Sequence, residues 1–214
     1  MDKLKDSGER REFESGAVRD IQVGKGRCDL MPLSAVGLVF KAEQNELACQ
    51  IFQALDNYVY TGNLQDLAAA VALFTGIKNN VDGDAFNSAL TMNTADLFLE
   101  VSKHYEQGCE KYGERNWEKG IPAHSYIDSG VRHLLKYIKG EDDEPHDRAF
   151  VWNMLGLIHT HIYNFEMLDL PCKEKIEKQI AAQKAAQEAA QKAEEAKAAA
   201  EFAMQEADIA PVEG

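Results

Sequence analysis

The sequence predicts an all-α fold: a helical bundle preceded by a glycine-rich basic arm and followed by an alanine-rich extended helix. Three observations predict it. Apolar residues recur at helical three- and four-residue intervals through much of residues 35–164. Strand-like alternation is almost absent. Beyond Pro171 the chain becomes nearly all Ala, Lys, Glu and Gln, a composition of high helix propensity with little to bury.

Taken in order, residues 1–34 form an arm. The segment 15–33 has no helical period, is punctuated by Gly16, Gly24 and Gly26, and closes at Pro32, which predicts an ordered loop with at most one short strand or turn. Residues 35–60 read as a helix, with Leu47, Ile51, Leu55 and Tyr58 on one stripe. A second covers about 63–75 through Leu64, Leu67, Val71 and Phe74, with Gly76 as its stop. Residues 79–87 are a turn cluster. A third helix spans 94–112, with Thr94 as N-cap and Leu97, Val101, Tyr105, Gly108 and Tyr112 as its apolar face. A fourth spans 123–139, carrying Val131, Leu134, Leu135 and Ile138 inward and stopping at Gly140. The acidic loop 141–144 leads to Pro145, expected at the first helical position of a fifth helix that runs to about 164 with Val151, Met154, Leu155, Ile158 and Ile162 inward. The core is thus 35–170 and the low-complexity helical tail 171–214.

The chain has 36 acidic and 23 basic residues, a net charge of −13. Such a surface repels nucleic acid polymers and anionic membranes but leaves room for a small nucleotide. No apolar run reaches membrane-spanning length and the first residues lack the apolar segment of a secretory signal, so a soluble cytoplasmic protein is expected. Cys28, Cys49, Cys109 and Cys172 are widely spaced and form no CxxC, which argues for free thiols.

Several residue groups carry possible chemistry. Lys25 and Arg27, interleaved with Gly24 and Gly26, and Arg19 six residues earlier, make a local basic loop suited to phosphate, or simply a charged arm. Glu106 and Glu110 share a helical face; with Asp128 and the 141–144 run, including Glu141 and Asp143, they could converge on a cation. Asp128 and Arg132, four apart, could equally pair with each other. Arg132-His133 stands at the edge of a buried face. Asn153 lies within an apolar helix, where it either contacts a ligand or braces a neighbouring helix. His146 falls on the same stripe, on the rim, with the small residues Ala149 and Gly156 leaving space nearby. The turn 110–122 gathers Gly113, Asn116, Trp117 and Gly120, more than a plain helical hairpin requires.

The runs GAVRDIQVGKGRCDL, KYGERNWEKG, DSGVRHLLKYIKGE and HDRAFVWNMLGLIH, in this order, resemble the phage dATP/dGTP diphosphohydrolase N-terminal-domain family, itself related to the all-α MazG-like nucleoside triphosphate pyrophosphohydrolases. The resemblance covers roughly 6–34 and 96–163, so 41–95 reads as an insertion. It implies conversion of a purine deoxynucleoside triphosphate to monophosphate and pyrophosphate with Mg²⁺, or Mn²⁺ in its place, held by carboxylates of neighbouring helices, in a bacterial host cytoplasm. It also implies a homo-oligomer, dimer or tetramer. The expected metal ligands are Glu106, Glu110, Asp128, Glu141 and Asp143, with His133 orienting water or phosphate. Substrate contacts are expected from Arg19, Lys25, Arg27, Lys111, Tyr112, Asn116, Trp117, Arg132 and Asn153. The wider superfamily's ExxE and ExxD helices are not reproduced: Glu106 and Glu110 are spaced ExxxE. That departure supports a second reading, a nucleotide-binding protein that sequesters without hydrolysis. A third is an adaptor acting through the C-terminal helix.

Overall fold

The computed structural model describes residues 8–82 and 90–209, with side chains over 8–75 and 94–200. It is helical nearly throughout. The arm begins as a small antiparallel hairpin, β1 (Arg10–Glu12) and β2 (Val18–Asp20), in which Arg11 stands directly opposite Arg19. The described residues form seven helices, α1 (Leu33–Ala42), α2 (Glu46–Thr61), α3 (Leu64–Asp82), α4 (Leu90–Tyr112), α5 (Ala123–Lys139), α6 (His146–Tyr163) and α7 (Lys173–Ile209). Short 3-10 turns lie at Cys28–Leu30, Asn116–Lys119 and Phe165–Met167.

Several boundaries differ from the sequence expectation for identifiable reasons. The stretch 35–60 is two helices. Gln44 takes a left-handed backbone (φ 64°), and the Asn45 side chain accepts from the Ala48 amide to start α2 afresh. Helix α3 runs through Gly76 to Asp82, because one glycine costs a packed helix only about 1 kcal/mol. Helix α4 begins at Leu90, so Thr94 lies inside it rather than capping it. Pro145 is the N-cap of α6 and not its first helical residue. Most of the 79–87 turn cluster lies outside the described residues; α3 occupies its first part.

Helices α5 and α6 pack against each other, α6 also meets α3 and α4, and α1, α2 and α3 pack in succession. The core between them is built from Ile51, Phe52 and Leu55, from Leu67 and Phe74, and from Val131, Leu134, Phe150, Met154 and Leu157. On α6 the buried face centres on Phe150, Val151, Met154 and Leu157, while Ile162 is 51% exposed, a correction to its expected inward position. Two glycines let α5 and α6 approach. A Cβ on Gly156 would lie 2.3 Å from Tyr126 Cε1, and one on Gly130 2.6 Å from Met154 Cε. The space beside Gly156 is therefore filled by the Tyr126 ring, not left for a ligand. All four cysteines are free. Residues 1–172 and 173–214 are separate compact units. In the second, α7 is exposed from residue 177 to 200, as its composition dictates. Among the described residues no helix is long and apolar enough to cross a membrane.

Candidate functional site

The hairpin lies against the end of α4, the 113–120 turn and the start of α5, and a cavity of about 470 Å³ opens between them and α6. This falls within the usual small-molecule range of about 300–1,000 Å³. Its wall carries seven cationic side chains, Arg11, Arg19, Lys25, Lys111, Arg115, Arg132 and Lys136, against three carboxylates, Asp20, Asp128 and Glu144. In a chain with 13 more acids than bases, this excess of cations is a local reversal of sign.

The arrangement of the two arginines follows from strand register. Arg11 and Arg19 are cross-strand partners, so their side chains leave the same face of the hairpin. Like charges placed so are unfavourable. Arg11 donates to Gln22 Oε1 (2.8 Å) and Ser125 Oγ (3.1 Å). Arg19 donates to the Ser125 carbonyl (3.1 Å) and Asn153 Oδ1 (3.0 Å), and stacks near Tyr126 and Trp152. Neither forms an ion pair with a described carboxylate, and burial lowers the pKa of both. Burial likewise lowers that of Lys25.

Asp128 is 1% exposed and fully engaged. Its Oδ1 accepts from the Cys28 amide (2.7 Å) and Arg132 Nη2 (2.6 Å), its Oδ2 from Gln22 Nε2 (2.7 Å). Arg132 also donates to the carbonyls of Lys25 and Gly26, both at 3.0 Å. Together the pair clamps the GKGR loop onto α5. Asp20 is held in the same way by Lys111 (2.8 Å), the Tyr112 hydroxyl (2.7 Å) and Arg10 (3.3 Å). Burial and this bond to Asp20 raise the Tyr112 pKa and keep the phenol protonated.

The turn after α4 has a structural explanation. Gly113 (φ +90°) and Gly120 (φ +104°) take backbone conformations that side-chain-bearing residues rarely adopt. Asn116 is buried and grips the hairpin: its Oδ1 accepts from the Val18 amide and its Nδ2 donates to the Val18 carbonyl, both at 2.9 Å. Trp117 lines the cavity and packs edge-on against Tyr105 and His159.

Of the expected site residues, the structure brings Arg19, Lys25, Lys111, Tyr112, Asn116, Trp117, Asp128, Arg132, His133 and Asn153 to this wall. Glu106 and Glu110 are exposed on α4 and outside it, because Tyr105, Gly108, Cys109 and Tyr112 form the lining stripe one residue round the helix. Glu106, Glu110 and Asp128 are therefore not gathered. Arg27 is outside as well, held by Asp29 at 2.5–2.7 Å. Glu141 and Asp143 lie at the α5–α6 loop, paired with Lys136 and, for Glu141, Lys139.

Sequence reasoning passed over Arg11, His104, Trp152 and Lys136, and it raised Glu144 and His146 without assigning either a place in the site. Arg11 was legible only through hairpin register. His104 lines the cavity, and its buried Nδ1 has no hydrogen-bond partner among the described residues. Burial, reinforced by Arg148 and Arg19, lowers its pKa to about 4. His133 and His146 face each other Nδ1 to Nδ1 at 3.0 Å, and His146 Nε2 contacts Asp143 Oδ1 at 2.8 Å. Burial holds His133 well below the usual imidazole pKa, so it is neutral. Two sets of ligand-type atoms come within 4.8 Å of one another, His133–Glu144–His146 and Glu141–Asp143–His146.

Comparison with known families matches residues 81–169 to the family described as dATP/dGTP diphosphohydrolase, N-terminal. Over these residues the chain is similar to that family. The matched stretch holds α4, α5 and α6 and hence three walls of the cavity, together with both ligand clusters. The hairpin, with Arg11 and Arg19, precedes it. No curated protein and no solved structure matches the chain.

Proposed function

We propose that the protein hydrolyses a purine deoxynucleoside triphosphate, dATP or dGTP, to the monophosphate and pyrophosphate. One observation carries the reading: in an acidic chain, opposed arginines on a hairpin face a cavity with seven cations, whose other walls lie in the family-matched stretch. Placing Arg11 beside Arg19 is unfavourable until an anion lies between or beside them, and a triphosphate supplies several negative oxygens. Lys25 approaches on a backbone held by Arg132 and Asp128. Tyr105, Trp117 and Trp152 supply aromatic wall for a purine, and the orphan His104 nitrogen a polar atom for its edge. In the reaction the water oxygen joins the α-phosphorus and gives up a proton to solvent, while the bond from that phosphorus to the β-bridging oxygen breaks and its electron pair leaves with pyrophosphate. The chain's part is to neutralise and align the phosphates.

Mg²⁺ favours all-oxygen ligands. Among the described residues, every gathered set of ligand atoms contains His146, and the Asp128 oxygens are taken by three donors. The donor set thus does not fit Mg²⁺ well, and no step is assigned to it.

A second reading, sequestration without hydrolysis, is favoured by one specific observation: two of the three cavity carboxylates are consumed by pairing, leaving a mainly cationic pocket. Phosphorus NMR of a dATP or dGTP incubation separates the two. Appearance of monophosphate and pyrophosphate resonances supports the hydrolase; an intact triphosphate, shifted and broadened by binding, supports sequestration and sinks the hydrolase.

A further inference from the structure

We propose that His133, His146 and Glu144 form a binding site for a first-row transition dication on the cavity wall, with Asp143 orienting His146 from behind. The inference deepens the hydrolase reading and rests on it for the ion's role, but ion binding is measurable apart from it.

The site is made by the α5–α6 connection. Gly140 ends α5 in a left-handed conformation, Pro145 caps α6, and the loop between them returns His146 to the side of His133. His146 is 2% exposed. Its Nε2 lies 2.8 Å from Asp143 Oδ1, and a carboxylate only accepts, so this nitrogen carries the hydrogen. With the hydrogen there, Nδ1 accepts the hydrogen bond from His133 Nδ1, 3.0 Å away, and a cation would take the place of that shared hydrogen. A carboxylate behind a histidine that presents its other nitrogen is the usual support for a metal-bound imidazole. Metal–nitrogen bonds of about 2.1 Å place two nitrogens about 3.4 Å apart in a tetrahedral site and about 3.0 Å apart at right angles, so the separation found suits the two-histidine, one-carboxylate face of a six-coordinate ion.

Glu144 supplies the third ligand. It lines the cavity within electrostatic reach of Lys25 and within 4.8 Å of the histidine ligand atoms. Glu141 and Asp143, in contrast, are neutralised by Lys136 and Lys139. Two imidazoles with one carboxylate suit transition ions rather than Mg²⁺ or Ca²⁺. Both histidines lie on helices that also carry the cavity wall, so an ion here would stand beside bound phosphates.

The test is titration of chelator-treated full-length protein with Co²⁺ alone, followed by visible absorption and calorimetry. One equivalent should bind with ligand-field bands. Binding should weaken about 10–100-fold in Asp143→Asn and further in His146→Gln and His133→Gln. Unaltered binding in the histidine variants, or its loss in Glu106→Gln instead, would overturn the assignment. Should the histidine variants fail to fold, pulsed electron paramagnetic resonance of Mn²⁺-loaded wild-type protein decides the matter. Nitrogen modulation from imidazole is expected, and its absence overturns the site. Co²⁺ binding through the histidines without pyrophosphate release would leave the site standing and remove the hydrolase reading. Pyrophosphate release by a protein that binds no ion through these histidines would do the reverse.

Discussion

Replacing Asp128 by Asn distinguishes an anchor from a metal ligand. In the structure three donors converge on this carboxylate: the Cys28 amide and Arg132 on Oδ1, Gln22 on Oδ2, at 2.6–2.7 Å. An asparagine offers one acceptor oxygen, so its amide group meets either the Gln22 amide or the Cys28 N–H, donor against donor. The change also removes the charge facing Arg132, whose side chain is 17% exposed. Breaking a pair this enclosed costs about 3 kcal/mol, the lower end of the range for buried ion pairs. For a chain of this length that lowers the melting temperature by roughly 6–12 °C. Hydrogen exchange should also quicken at Cys28 and across residues 22–28, which Asp128 and Arg132 tie down. Co²⁺ affinity at the histidine pair should remain close to wild type. A variant that melts within a degree of wild type yet loses ion binding would refute the reasoning and return Asp128 to the role of ligand.

Three further outcomes follow from the geometry. Arg19→Met keeps the stem between Tyr126 and Trp152 but removes the guanidinium; at about 1.5–3 kcal/mol per charge-assisted bond, dATP or dGTP affinity by calorimetry should fall roughly ten- to hundredfold. His104 has a folded-state pKa of about 4, below the ordinary 6.5, so the unfolded chain binds the extra proton first. Its contribution is intact above pH 6.5 and is lost as pH falls to 4, by about 3 kcal/mol, and urea melts of His104→Gln should show a correspondingly smaller loss over that window. Gly156→Ala drives a methyl group into the Tyr126 ring at 2.3 Å and should destabilise by about 1–3 kcal/mol in the same melts, whereas Gly108, half-buried on the cavity lining but with nothing within 4 Å of an added Cβ, should keep its stability as alanine.

The helical architecture was legible because apolar spacing reports directly on which face of a helix is buried. Leu67, Val71 and Phe74 on α3 and Val131 and Leu134 on α5 are core residues, as their period requires. The hairpin was not legible. Its strands have three residues each, too few for an alternation, and its pairing is secured from outside by Asn116, 98 positions from Val18. Without that register, the meeting of Arg11 with Arg19 cannot be read from the chain. The site was legible in its cations and aromatics, less so in its acids. Glu106 and Glu110 share a face, but whether that face meets the cavity turns on a rotation of one residue, and Tyr105 and Tyr112 occupy the inward stripe instead. Asp128 and Arg132 could pair at a four-residue spacing, and they do so while also holding a loop that no local pattern places beside them. The approach of His146 to His133 depends on the path of the 140–145 loop.

The account's central claim is met most directly by pyrophosphate release from each of the four deoxynucleoside triphosphates, measured with Co²⁺, with Mg²⁺ and with chelator. The account predicts release from dATP or dGTP that chelation abolishes and Co²⁺ restores. No release from any of the four under any of these conditions, with the nucleotide still bound, would contradict it and leave a protein that holds purine nucleotides without cleaving them.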